Sequence, residues 1–165
     1  MSSTASNQGR TIVTQATQHV ALFTAPDMCF VPGTPPPQPF PNVVQSEMLS
    51  AGKTVKSFIA GAAVWTAAGE LGPPSKPAHP GTAGGVKSGT YIQEAKPTSY
   101  SPDVFFEGNA VVRVFDTTTQ NHANTVGFVI PEAMLALLGD LSWLDCECMH
   151  AAADAAKAAV APGGG

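Results

Sequence analysis

The chain has 165 residues and a net charge of −4, with 16 glycines, 15 prolines, 8 basic and 12 acidic residues. So few basic groups argue against a nucleic-acid binder, which needs a cationic stripe to replace condensed counterions. The scarcity of charge and ordinary apolar content argue equally against disorder. The length suits one domain plus an appendage, and the composition suits a loop-rich β protein partly buried in an interface.

Residues 1–24 read as a lead-in, polar at first and ending in an apolar strand over His19 to Phe23. Residues 1–18 lack a positive segment followed by an apolar run, so no secretory signal is expected. Nor does any segment reach the run of about 18 apolar residues that crosses a bilayer. The expected location is the cytoplasm, and any exit from the cell would have to be driven by a machine and not by the chain's own N-terminus.

Residues 25–41 hold seven prolines. Proline fixes φ and lacks an N–H, which predicts an extended, polyproline-like path instead of a helix or central strand. Met28, Cys29, Phe30, Val31 and Phe40 give that path an apolar side suited to packing on the domain.

Residues 54–64 and 103–115 each show two apolar runs around a turn, Ala60 with Gly61 in one and Gly108 with Asn109 in the other. At an offset of 47, Phe58, Gly61, Ala63 and Val64 fall on Phe105, Gly108, Ala110 and Val111, which predicts a repeated hairpin. Residues 69–89 are turn-rich, residues 91–93 are expected to form a short strand, and residues 125–130 close the β region.

Residues 131–165 differ in kind. Pro131 is expected in the first helical turn, and Met134, Leu137, Leu141, Leu144 and Cys148 recur at helical spacing. Gly139 and Asp140 mark a break, and an alanine-rich run then ends in Pro162 and three glycines. This helical extension either packs on the domain or presents Met134, Leu137, Leu141 and Leu144 to a partner.

The glycine-rich run at residues 81–88 is not a phosphate loop, because Val86 stands before Lys87 where glycine is required. No serine-hydrolase elbow or paired-carboxylate pattern is present, so no enzymatic activity is expected. Three cysteines, Cys29, Cys146 and Cys148, are an odd number and fit thiols or metal ligands better than a disulfide framework. Cys29 in its proline-stiffened segment is a candidate ligand. Cys146 and His150 lie four apart on one helical face, a weaker candidate pair. His79 is also a weaker candidate, and His122 reads either as a ligand or as a loop-stabilising donor.

Three blocks in order resemble the PAAR-like (Tox-PAAR-like) family: Ala25, Pro26, Asp27, Met28 and Cys29 with Pro41 and Asn42; Gly81 to Val86 with Ser88 and Gly89; and Phe106 to Arg113 with Asp116, Asn121 and His122. The resemblance implies a compact, conical β domain over residues 25–130, built of short strands and glycine turns. It implies a structural role at the tip of a type VI secretion or related contractile injection system, capping a trimeric VgrG-type spike and helping to deliver an effector. A structural zinc ion is implied near the apex, and Cys29 and His122 are the positions carried over for it. His79 stands where relatives more often show a serine- and acid-containing turn. Two alternatives remain at this point. One is an adaptor whose C-terminal helix recruits an effector or chaperone. The other is a small zinc enzyme with Glu147 beside its metal.

Overall fold

The computed structural model describes residues 5–72 and 78–139. In chain order the strands are β1 (Ser6–Asn7), β2 (Arg10–Thr11), β3 (His19–Phe23), β4 (Asp27–Val31), β5 (Thr34–Phe40), β6 (Val43–Gln45), β7 (Phe58–Ile59), β8 (Ala62–Ala63), β9 (Ala95–Pro97), β10 (Phe105–Phe106), β11 (Asn109–Ala110), β12 (Thr117–Gln120) and β13 (Thr125–Pro131). One short helix, α1 (Ala133–Gly139), follows. The chain is mainly β, as the sequence predicts.

Three hairpins of one geometry organise the fold: β1 with β2, β7 with β8, and β10 with β11. Each turns on two residues of positive φ. These are Gln8 and Gly9 (53° and 73°), Ala60 and Gly61 (51° and 79°), and Glu107 and Gly108 (51° and 80°). Two such residues give the twist that matches paired strands, and glycine adopts the second at no steric cost. The third turn therefore centres on Glu107 and Gly108, one residue before the expected Gly108 and Asn109. The first hairpin was not expected at all, because polar Ser6, Asn7 and Arg10 hide its strands inside the presumed lead-in.

The hairpins join in a ring. Bridges link Ile12 to Arg113, Thr14 to Val64, and Thr66 to Val111. Between them the Val13 N–H donates to the Val112 carbonyl, Val112 to Trp65, and Trp65 back to Val13, at 2.9, 2.9 and 3.0 Å. An outer set repeats the pattern: Gln15 N–H to Ala63 carbonyl, Ala67 to Ala110, and Val114 to Thr11. The backbone thus has pseudo-threefold symmetry. Ile12, Val64 and Val111 pack together at the ring, and fully buried Val13, Trp65 and Val112 join the main core.

Each hairpin leads into an outgoing and a returning segment. β3 leaves and β6 returns, Leu71 leaves and β9 returns, and β12 leaves and β13 returns. They pair in the order β6-β3-β13-β12-β9, and Leu71 bridges both Ala95 and Leu49, which closes the curled sheet. Val20, Leu22, Val43 and Ile130 make an apolar flank that Leu135 and Met134 of α1 cover. Residues 5–23 are therefore integral to the domain, with β3 fully buried between β6 and β13.

Three local expectations shift. The proline-rich segment forms a hairpin of β4 with β5, in which the prolines occupy a strand that needs no second neighbour. The strand expected at residues 91–93 lies at Ala95–Pro97, and Pro131 ends β13 instead of opening the helix. The described part of the helical extension is α1 alone. No helix among the described residues is long and apolar enough to cross a membrane.

Two outcomes follow from this architecture. Asparagine is favoured at the first position of these turns, so Ala60→Asn should raise stability by about 0.5–1 kcal/mol in urea titrations. His19 is 5% exposed, its Nδ1 has no partner among the described residues, and burial lowers its pKa to about 4. The unfolded chain accordingly binds a proton that the native state refuses between about pH 6.5 and 4. Stability should fall by about 3 kcal/mol as pH drops through that window, and His19→Gln should remove that part of the slope in thermal melts.

Candidate metal centre at the apex

The outgoing and returning segments end in three connections of unlike length, whose described residues 24–42, 78–94 and 121–124 converge at the end far from the ring. Their meeting point is Asp27, at the start of β4 and 0% exposed. Its Oδ2 accepts from Asn42 Nδ2 at 3.1 Å and Asn121 Nδ2 at 2.9 Å, and its Oδ1 accepts from Asn124 Nδ2. One buried carboxylate thereby ties β4 to the end of its own loop at Asn42 and to both ends of the 121–124 turn.

The two turn asparagines extend the network. Asn121 Nδ2 also donates to the Thr90 carbonyl at 3.1 Å, and its Oδ1 accepts from the Gln93 N–H at 3.1 Å. Asn124 Oδ1 accepts the N–H groups of Lys87 and Ser88 at 2.7 and 3.1 Å. The glycine block permits this approach, because a Cβ on Gly85 would occupy the Asn124 amide. β4 holds the block from its other edge, with Phe30 N–H donating to Gly84 and Val86 N–H to Met28.

Beside Asp27 lie Cys29 and His79. One donor atom from each of the three residues falls within 4.8 Å of the others. His79 is stacked on Phe40 with ring centroids 4.0 Å apart, and Tyr91 meets its edge at 5.1 Å. The Tyr91 hydroxyl donates to the His79 carbonyl at 2.7 Å. Gly81 N–H donates to His79 Nδ1 at 3.1 Å, which marks Nδ1 as the nitrogen with a lone pair. Burial lowers the His79 pKa, against a smaller opposing pull from Asp27. Burial pushes the Cys29 thiol up to about 12, and Asp27 adds to the shift.

These donors fit a zinc-type ion. Thiolate sulfur, imidazole nitrogen and carboxylate oxygen are the ligands such an ion takes. A carboxylate offers about four lone-pair positions. The three asparagine amides use three of those on Asp27, leaving one on Oδ1.

The remaining sequence candidates lie elsewhere. His122 does not join Cys29: its side chain is 62% exposed and its Nδ1 sits 3.0 Å from Glu94 Oε1. Asn121 and Asn124 take the inward positions of their turn, which leaves His122 and Ala123 facing solvent. His122 also borders an open surface cleft lined by Glu94, Lys96, Thr119 and Ala123. Met134 packs against the β flank and Leu137 is 65% exposed. Leu141, Leu144, Cys146, Cys148 and His150 lie outside the described residues. Sequence reasoning missed Asp27 as a donor and the three asparagines as its partners. Asp27, Asn42 and Asn121 all stood within the blocks that carried the family resemblance.

A single-chain pseudo-threefold β domain with a His/Cys/Asp cluster at its apex is the class of domain that these observations define. Residues 20–127 match the family model for the toxin PAAR-like domain, and the chain belongs to this Tox-PAAR-like family. No curated protein and no solved structure matches the chain.

Removing the apex carboxylate takes an acceptor from buried Asn42 and Asn121 and from half-buried Asn124. In chelator-treated protein, Asp27→Ala should therefore cost about 3 kcal/mol in urea unfolding, whereas exposed His122→Ala should stay within about 0.5 kcal/mol.

Proposed function

We propose that this chain is a structural spike-tip protein that seats on the threefold end of a trimeric VgrG-type spike in a contractile, type VI secretion-like injection system. The observation that carries the reading is the hairpin ring. A single chain can meet three equivalent subunits in equivalent ways only if it repeats its own backbone three times about one axis. The closed hydrogen-bond circuit through Val13, Trp65 and Val112 supports such a match. The three loops then gather at the opposite end, where a point is needed.

Zinc at Asp27, Cys29 and His79 serves this role as a structural ion. The apex is made largely of loops around one carboxylate, and an ion cross-linking β4 to His79, just before the glycine block, would stiffen it. Asp27 and Cys29 are both 0% exposed, which suits a closed structural centre better than a catalytic one open to water. On this reading the protein is assembled in the cytoplasm, leaves with the spike, and helps carry an effector to its target.

α1 gives less support to an adaptor. Met134 and Leu135 are spent on the domain's own flank, and of the described stripe only Leu137 faces outward.

The decisive experiment mixes the full chain with the trimeric VgrG-type spike protein of the same gene cluster, and measures mass and zinc on the complex. One chain and about one zinc per trimer are expected. Cys29→Ser and His79→Ala should each release the metal, while His122→Ala should keep it. Because the Cys29 thiol holds its proton up to about pH 12 in the metal-free site, zinc must displace that proton and affinity should weaken on acidification. A chain that stays monomeric beside the spike trimer overturns the docking reading.

A further inference from the structure

The three hairpins share a backbone but not a surface. Ser6, Phe58 and Phe105 hold equivalent positions, paired with Thr11, Ala63 and Ala110. Phe58 is 51% exposed and Phe105 57% exposed, so two large aromatic side chains stand in water at matching places on the ring. The third place carries a serine.

The next position inward separates the hairpins further. Ile59 and Phe106 pack against Ile12, Val64 and Val111. Their counterpart Asn7 instead accepts from Ser101 Oγ at 2.9 Å and Arg113 Nη1 at 3.0 Å, and Gln8 Oε1 accepts from the same guanidinium at 2.9 Å. The first hairpin is therefore locked into a polar network with its neighbour. The other two direct apolar groups both inward and outward.

The exposed aromatic groups are also held in place. The Glu107 carboxylate, at the tip of the third hairpin, accepts the N–H groups of Val55, Lys56 and Ser57 at 2.6 to 3.1 Å. This fixes the chain entering the second hairpin, where Val55 is 68% exposed three residues before Phe58. Apolar groups presented on rigid backbone lose little freedom on contact, which is the condition for anchor residues.

Resting on the spike-cap reading, we infer that docking is carried unequally: Phe58 and Phe105 fill identical apolar sites on two spike subunits, and the same site on the third subunit faces Ser6. Identical subunits offer identical sites, and the ring places equivalent residues over them. A chemically symmetric trimer is thus gripped at two corners by a cap that is symmetric only in its backbone.

The test measures affinity of the full chain for the trimeric VgrG-type spike protein of the same gene cluster. Phe58→Ser and Phe105→Ser should each weaken binding about tenfold, the scale of an interface anchor. Ser6→Phe should tighten it by a similar factor, because it supplies the third site with the ring that the other two accept. Val126→Ser, a 50% exposed position on β13, should leave affinity unchanged. Melting temperatures near wild type confirm that each variant is folded. Wild-type chain that fails to bind overturns the spike-cap reading itself. Wild-type binding with undiminished affinity in either Phe→Ser variant, or no gain from Ser6→Phe, overturns the two-corner inference and leaves the cap reading standing.

Discussion

Everything in this domain hangs on three peptide groups. Val13, Trp65 and Val112 each donate one N–H to the next residue's carbonyl around a closed circuit. Inside a fully buried core an unmatched peptide group is costly, and a circuit is the arrangement in which none is left over. Once those peptides are set, the flanking bridges fix where each hairpin lies. The hairpins fix where each segment leaves, and the segments fix where the loops meet. The side chains at the circuit are not alike, since a tryptophan faces two valines. Trp65 settles its own polar atom by donating Nε1–H to the Gly69 carbonyl at 3.0 Å.

At the other end, side-chain chemistry replaces peptide chemistry. The loops there differ in length and cannot share a backbone circuit, so a carboxylate and three amides do the joining. Asparagine suits this place twice over. Its amide can donate to one segment while its oxygen accepts from another, and it tolerates the left-handed backbone of the 121–124 turn, where Asn121 has φ of 48°. His122 and Ala123 share that backbone (55° and 63°) without sharing the inward position. The metal donors are built onto this polar frame and are held by it.

The legible parts of the sequence were those with a local signal. Two hairpins announced themselves through glycine turns between apolar runs, and the segment at residues 125–130 through continuous apolar character. The first hairpin stayed hidden because its strands are polar, although Gly9, Val13 and Thr14 stand at one spacing from Gly61, Trp65 and Thr66. At the apex, Cys29 was read correctly as a residue in a stiffened segment. Of its partners, His79 stood only among the weaker candidates and Asp27 was missed, because β4 and the 78–94 segment are brought together only by ring closure. His122 looked equivalent to a ligand in sequence, and one residue of turn geometry put Asn121 inward in its place.

The ring also governs the order in which the chain can fold. Thr11 and Ile12 pair locally with Ser6 and Ala5, but their contacts across the ring form only when Arg113 and Val114 have arrived. Nearly the whole domain must be synthesised before its first strands are satisfied, and loop-closure entropy is spent before those contacts reward it. Such a topology folds as one cooperative unit: each hairpin is a sector of a circle and has no stable half. A chain built this way is either closed or unmade.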